Sequence, residues 1–487
     1  MKKILIGALL IAPALWGGMT WVASNKTEET FNTMLTQSNQ RIIEAAPILS
    51  MEKKSFNKGF ISSTAKSVIH IDPDIFDYET PLKINLNHTI YHGPFMLTSD
   101  GVKIGTSYII TTLDQAPLEE KTRQAIALIF SGKQPFTSKT RTHFDNSLTE
   151  SFDMPALTID STALETLLAP DEKSTQHFKL NLAGISSEFT TNPEAGFLNG
   201  WINTQALNMT GGNGRESFNM SINSSSTQFD IDELYHGAML LGSMTFNLPE
   251  VQWNDKKQSI SLKDMSLKVS AESQAELYSQ QASIDVANLL VSPNNSPSLF
   301  PDSKLHMSFG LKGLERTATR HLIELSQSIN QAQVSLLNNN NSSQAQQQLE
   351  ANINNYLQAL GDLVKPGLES NNTIELSNDK GKANIHFDLS YVAAKKLLEL
   401  KTVKELIISL SAELRINIDK NLVANTAIEQ FINSPMSNNA FKNNTTTYTA
   451  NAILNNGQLD LNGEPIPLLD MLGPSANEPL VWDEYLQ

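Results

Sequence analysis

Hydrophobic residues recur at every second position over much of this chain. Examples are Leu82, Ile84, Leu86 and Ile90; Phe178, Leu180 and Leu182; Phe218, Met220 and Ile222; Met265, Leu267 and Val269; and Leu305, Met307, Phe309 and Leu311. Side chains alternate across a β-strand, so each run makes one apolar and one polar face. Strands wet on one face belong to antiparallel sheets, because parallel sheets are buried on both faces. The pattern returns at Ile385, Phe387 and Leu389 and again at Ile408, Leu410, Ala412, Leu414, Ile416 and Ile418. With 40% hydrophobic and 18% charged residues over 487 positions, the chain is globular and long enough to bury a large core.

Helical spacing interrupts this pattern at a few places. Short helical patterns cover Leu118 to Phe130 and Thr162 to Leu168. After Gly313, the residues Leu314, Ala318, Leu322, Leu325, Ile329, Ala332 and Leu336 keep a period near 3.6 as far as the polar break Asn338 to Asn341. Leu349, Ile353, Tyr356, Leu357 and Leu360 mark a second helix, stopped by Pro366-Gly367, so the two read as a helical hairpin with an Asn/Gln-rich linker. A helix beginning near Asp419 carries Leu422, Ala427, Ile428, Phe431 and Ile432. Asn455-Asn456-Gly457 joins Tyr448–Leu454 to Leu459 and Leu461 as a final β-hairpin. The fold class expected is α+β, mainly antiparallel β: an elongated, curved sheet system with a helical hairpin insertion and an N-terminal transmembrane helix.

That last element rests on Met1-Lys2-Lys3 followed by twenty uncharged, mainly apolar residues from Ile4 to Ala23. Twenty helical residues at ~1.5 Å each reach about 30 Å, the thickness of a bilayer's hydrocarbon core. A cleaved signal would need small residues before the cut. Cutting at Ala12-Pro13-Ala14 leaves a short core, and cutting after Ala23 puts Trp21 where a small residue is wanted, so an uncleaved anchor is favoured over a cleaved signal. Lys2 and Lys3 precede the run and Glu28 and Glu29 follow it, which keeps the start inside and sends the remainder across. Phe31, Met34, Leu35, Ile42 and Ile43 suggest a juxtamembrane helix from about Glu28 to Ala45 that lifts the body off the membrane.

Composition narrows the function classes. A formal charge of −15 argues against a nucleic-acid binder, which needs clustered Lys and Arg to meet phosphates. With no Cys there are no disulfides, thiolate chemistry or Cys-based zinc sites. His88 and His92 share a strand face but lie ~13 Å apart when extended, too far to hold one ion. Asp72, Asp74, Asp77 and Glu79 are the densest carboxylate cluster, but Pro73 and Ile75-Phe76 break the spacing of a calcium loop. Gly211-Gly212-Asn213-Gly214 reads as a flexible hairpin loop, because no phosphate-loop Lys or Ser/Thr follows. Gly-x-Ser-x-Gly and His-Glu-x-x-His are both missing. No catalytic, metal or cofactor-binding residues are therefore assigned.

Three segments resemble, in order and spacing, the YdgA-like family of Gram-negative bacteria, whose function is unassigned. They are Phe56-Asn57-Lys58-Gly59-Phe60-Ile61-Ser62-Ser63, His92-Gly93-Pro94-Phe95, and Gly457-Gln458-Leu459-Asp460-Leu461-Asn462-Gly463. Phe56 and Lys58 stand where that family commonly has Tyr and Arg. The residues Phe56, Gly59, Ser62, Ser63, His92, Gly93, Pro94, Phe95, Gly457, Leu459, Leu461, Asn462 and Gly463 are assigned structural roles. In the second segment, Gly supplies an unusual φ, Pro lacks a donor and Phe docks into the core.

The resemblance implies an inner-membrane-anchored, β-rich periplasmic protein. The expected organisation is an anchor over 1–27, a juxtamembrane helix over 28–50, a β-rich periplasmic body over 51–312, the helical hairpin over 313–368, and a C-terminal β/α portion of the same domain over 369–487. The leading functional expectation is a non-enzymatic envelope protein that binds a lipid-like ligand or a protein partner. The alternatives are an envelope scaffold, dimerising through the span or the juxtamembrane helix, and a hydrolase with a dispersed site. The expected partners are the inner membrane through residues 4–23 and a lipid or envelope protein, with no nucleic acid.

Overall fold

The computed structural model describes residues 49–71, 82–160, 177–192, 196–212, 217–293, 300–338, 343–434 and 440–480, with isolated positions elsewhere, including Thr20, Ser24, Thr27 and Phe31. Several expectations lie outside the described residues: the Ile4–Ala23 run apart from Thr20, the cluster Asp72 to Glu79, most of the Thr162–Leu168 pattern, and the Asn-rich linker at 339–342. Among the described residues no helix is long and apolar enough to cross a membrane. The chain divides into two compact units, Met1–Gly237 and Ala238–Gln487.

The first unit contains β1 (Leu49–Asn57), β2 (Ser62–Ile71), β3 (Leu82–His92), the two-stranded β4 (Phe95–Thr98) and β5 (Gly101–Ile104), β6 (Ser107–Leu113), α1 (Glu120–Ile129), β7 (Thr137–Thr142), β8 (Leu148–Met154) and β9 (Leu157–Asp160). It continues with β10 (His177–Leu182), β11 (Ile185–Asn192), β12 (Phe197–Thr204), β13 (Leu207–Gly212), β14 (Ser217–Ile222) and β15 (Ser225–Tyr235). Antiparallel pairing runs β1–β2–β3–β6–β7–β8–β11–β12–β15. A second run is β9–β10–β13–β14. Only Pro155-Ala156, Ala183-Gly184, Gln205-Ala206 and Asn223-Ser224 separate the two runs along the chain, so each long strand kinks at the same level. Gly184 permits this at φ 139, where a side chain would meet the Met154 carbonyl.

The described positions between 20 and 39 are all helical. Thr20, Ser24, Thr27 and Phe31 are buried; their spacing of four, three and four puts them on one helical face. Phe31 packs with Ala65, Ile90 and Ile109, with Leu35 and Phe56 alongside. This part of the chain is therefore not a free stalk beneath the body, as its periodicity suggested, but is built into the first unit's core. The small hydroxyl residues let the helix approach the sheet closely.

The second unit is a meander of β16 (Ala238–Asp255), β17 (Gln258–Gln274), β18 (Leu277–Pro293) and β19 (Phe300–Glu315). The helices α2 (Arg316–Asn338) and α3 (Ser343–Leu363) then pack along each other, with Asn352 Nδ2 donating to the Ser328 carbonyl at 3.0 Å. The sheet resumes with β20 (Glu369–Asn378) and β21 (Gly381–Tyr391), and after α4 (Val403–Ile408) with β22 (Leu410–Asp419). Next come α5 (Lys420–Val423), α6 (Ala427–Ile432), β23 (Lys442–Asn443), β24 (Thr447–Asn455), β25 (Gln458–Leu461), β26 (Glu464–Ile466) and α7 (Leu468–Leu472).

Two local expectations are corrected in this unit. Ile408 ends a helix rather than starting a strand, because the Thr402 hydroxyl accepts from the Glu405 N–H and opens a helical turn there. The helix expected from Asp419 is two short ones: Asn425 sits at φ 62, and the Thr426 hydroxyl accepts from the Glu429 N–H to cap a new start at Ala427.

Candidate functional site

The first two matched segments converge in the first unit. β2 and β3 pair with Ser63 opposite Ile90 and Ser62 opposite Tyr91. This register brings Ser63 Oγ within 2.9 Å of His92 Nε2, while the other ring nitrogen lies 2.9 Å from Thr27 Oγ1. The Gly59 N–H donates to Ser63 Oγ at 3.1 Å, and Ser24 Oγ donates to the Gly59 carbonyl at 2.8 Å. Gly59 has no room for a side chain, since a Cβ would lie 2.0 Å from the Ser62 carbonyl. One strand turn earlier, His88 repeats the arrangement between Ser67 Oγ (2.7 Å) and Thr111 Oγ1 (2.9 Å).

Burial holds the His88 imidazole down at about 4. Burial also holds His92 below its ordinary value, with the Lys58 charge adding to it and the Gly59 backbone opposing it. Both rings are neutral at pH 7; His92 meets two buried hydroxyls, and His88 one buried and one half-buried hydroxyl.

The reading of His92-Gly93-Pro94-Phe95 as a strand-ending turn needs two corrections. Gly93 is required for close approach, not for its φ: a Cβ would lie 1.7 Å from the Gly105 carbonyl oxygen. Phe95 does not enter the core; it is 52% exposed while the next residue, Met96, is buried. The reason is the local pairing: the Gly93 N–H donates to the Thr106 carbonyl, and the Pro94 carbonyl accepts from Gly105. This starts a new ribbon in which Met96, not Phe95, falls on the inner side.

The third segment lies in the second unit and is self-contained. Asn456 and Gly457 take φ 48 and 76, the hairpin-turn conformation, so that Leu459 and Leu461 pair with Leu454 and Ala452. Asn462, at φ 59, accepts from the Asn451 N–H through Oδ1 and donates through Nδ2 to the Ala440 carbonyl. The Gly463 N–H donates to Asp460 Oδ1 at 2.7 Å. These groups close the sheet's last turn.

The larger feature of the second unit is one face of its sheet. Register places Phe246, Leu267, Ile284, Met307, Ile374, Ile385, Ile416 and Ala450 opposite one another in a single row across eight strands. A flanking row runs from Leu248 through Met265, Val286, Leu305, Leu376, Ala383 and Ile418 to Tyr448. On the other side, a row from Met244 to Leu414 is interrupted only by Asn372. The interleaved positions, such as Thr245, Lys268, Ser283, Ser308, Thr373, His386 and Arg415, put polar groups on the opposite face.

The apolar face is only partly covered. Tyr448 and Ile418 are buried with Val423 of α5 and Ile432 of α6 at one end, but the central row from Phe246 to Ile416 is half-buried throughout. Phe309 and Phe387 are exposed. At ~4.8 Å per strand the row is about 34 Å long.

A family described as "Bacterial protein of unknown function (DUF945)" matches residues 1–469. The chain belongs to that family. No curated protein and no solved structure matches it.

Within this DUF945 chain the described residues contain two Ser–His contacts, the feature a dispersed hydrolase site would need. Both have the wrong surroundings for nucleophilic catalysis. Ser63 and Ser67 are each 1% exposed, and the second ring nitrogen of each partner meets a threonine hydroxyl instead of a carboxylate. Gly211 and Gly212 belong to β13, where Phe218 of β14 closes over Gly211; residues 213–216 lie outside the described residues. Sequence reasoning missed Thr27 and Ser24 as partners of the His92 node. Their signal was there, in register with Phe31 on one helical face, but small hydroxyl residues carry no hydrophobic period.

Proposed function

We propose that this DUF945 chain is a non-enzymatic, inner-membrane-anchored envelope protein of the YdgA-like kind, with its bulk in the periplasm and the apolar sheet face of its second unit binding the acyl part of a lipid-like ligand. The observation that carries the reading is the unbroken row from Phe246 to Ala450 on a half-buried face. Monomeric soluble proteins rarely leave contiguous apolar patches of that extent without a partner. Half a bilayer's hydrocarbon core is about 15 Å, so a row of about 34 Å takes two lipid chains end to end at the length they have in a fluid leaflet. Each buried methylene contributes roughly 0.8 kcal/mol, enough for a chain-length-dependent affinity without any polar site.

The anchor half of the proposal is supported by the uncharged Ile4–Ala23 run behind Lys2 and Lys3. Of the scaffold alternative's two routes to a dimer, the juxtamembrane helix loses its motivation because Phe31 is covered by the chain's own sheet, while dimerisation through the span stands as the alternative reading.

The test is native mass spectrometry of the full chain released from detergent after expression in a bacterial envelope. A stoichiometric co-purified lipid, lost in Met307→Asp, is the expected result. A lipid-free mass, together with no binding of a fluorescent fatty acyl probe, overturns the proposal.

A further inference from the structure

The β4–β5 ribbon is turned inside out for a protein in water. Its register pairs Phe95 with Ile104 and Leu97 with Val102, so these four side chains share one face. They are 52%, 52%, 72% and 61% exposed, respectively. The opposite face carries the buried Met96 paired with Lys103, whose ammonium lies 5.7 Å from the Tyr108 ring centre. The turn is pinned inward: Tyr108 Oη donates to Asp100 Oδ2 at 2.9 Å, and Lys139 pairs with the same carboxylate at 2.8 Å. The ribbon is thus held by its polar side and presents its apolar side outward.

The N-terminal helix says what covers that face. The β1–β2 turn next to the ribbon exposes Phe60 and Ile61, and the Ile61 carbonyl accepts from the His92 N–H just before the ribbon begins. Gly59 of that turn accepts from Ser24, and Lys58 donates to Asn25, the two residues that follow the apolar run. Thr20, within that run and four residues before Ser24, is helical and fully buried, so burial extends into the run itself. Interfacial elements seat their apolar faces about 5–10 Å into a bilayer.

We infer that the Phe95–Ile104 ribbon, with Phe60 and Ile61, is a lipid-surface contact: it dips into the leaflet from which the N-terminal segment emerges and fixes the first unit against the membrane. This rests on the anchor half of the proposed function. The ribbon makes the attachment two-point, so the first unit cannot swing freely about residue 24.

The chain has no cysteine, so Leu97→Cys gives a single labelling site. The experiment uses full chain carrying an environment-sensitive fluorophore at that position, in phosphatidylcholine/phosphatidylglycerol vesicles with or without shallow nitroxide lipid. Val102→Cys repeats the measurement on the partner strand. Lys133→Cys is the control: it is exposed and adjoins Gln134, which bonds to the Leu113 carbonyl at the far end of β6.

Quenching that at least halves the signal at 97 and 102 but not at 133 is expected. Chain that resists alkaline extraction yet shows no quenching at 97 and 102 overturns the ribbon contact and leaves the anchor. A ribbon shielded from iodide but not quenched by nitroxide lipid also overturns it, because a protein then covers that face. Alkaline-extractable chain that still floats with vesicles and is quenched at 97 overturns the anchor and supports the ribbon. Chain that neither inserts nor floats overturns both.

Discussion

His88 ties this fold to pH in a way that can be measured at one residue. The ring is buried between Ser67 and Thr111, edge-on to Phe31 at 5.2 Å, and its pKa is held at about 4. An unfolded histidine titrates near 6.5, so between about pH 6.5 and 4 the unfolded state binds a proton that the folded state refuses. A depressed histidine therefore gives its full stability above the unfolded value and loses it as pH falls through that window. With these two values the linkage relation predicts a loss of about 2–3 kcal/mol on going from about pH 7.5 to 4.5.

His88→Gln removes that titration while keeping a polar group for the hydroxyls. The assay is hydrogen exchange of peptides from β2 and β3, because a local readout avoids assuming that both units unfold together. Opening free energy in the parent should fall by about 2–3 kcal/mol more than in the variant over that range. His92 titrates in the same direction but is present in both proteins and cancels, as do the carboxylates. Equal pH slopes in parent and variant would refute the argument, whatever the variant's stability at neutral pH.

Gly93→Ala should abolish or sharply lower folded yield, checked by soluble expression and thermal melting, because the Gly105 carbonyl is backbone and cannot step aside. Ser63→Ala leaves His92 Nε2 and the Gly59 N–H without their partner, costing about 1–3 kcal/mol per group in urea titration, while Thr27→Val should cost less by removing one partner. Ile385→Glu, in the middle of the half-buried row, should abolish acyl-probe binding while shifting the melting temperature by only a few degrees, on the order of 1 kcal/mol. Collapse of the fold in that variant would show that the face is a core.

Where local chemistry decides structure, the residues could be read directly. Alternation at Leu305, Met307 and Phe309 became β19, the 3.6-residue period from Leu314 became α2, and Asn456-Gly457 made the closing turn. Side-chain period and turn conformation are properties of a few adjacent residues, so no tertiary partner is needed to see them. Local rules failed where a cap or a neighbour outweighed the pattern. Thr402 and Thr426 started helices inside runs that looked continuous, and Phe95 read as a core aromatic until pairing with Ile104 turned it outward.

The sequence by itself determined that this chain is mainly antiparallel β with a helical pair between strands, and that it carries a long uncharged apolar segment at its start. Only the tertiary structure decided how those elements meet. The His92 node joins residues 24, 27, 59, 63 and 92, and the apolar row joins eight strands from Phe246 to Ala450. Each strand's alternation says that it has an apolar face. Which residues stand opposite one another depends on register, and register is set by contacts between distant segments that no single stretch of sequence contains.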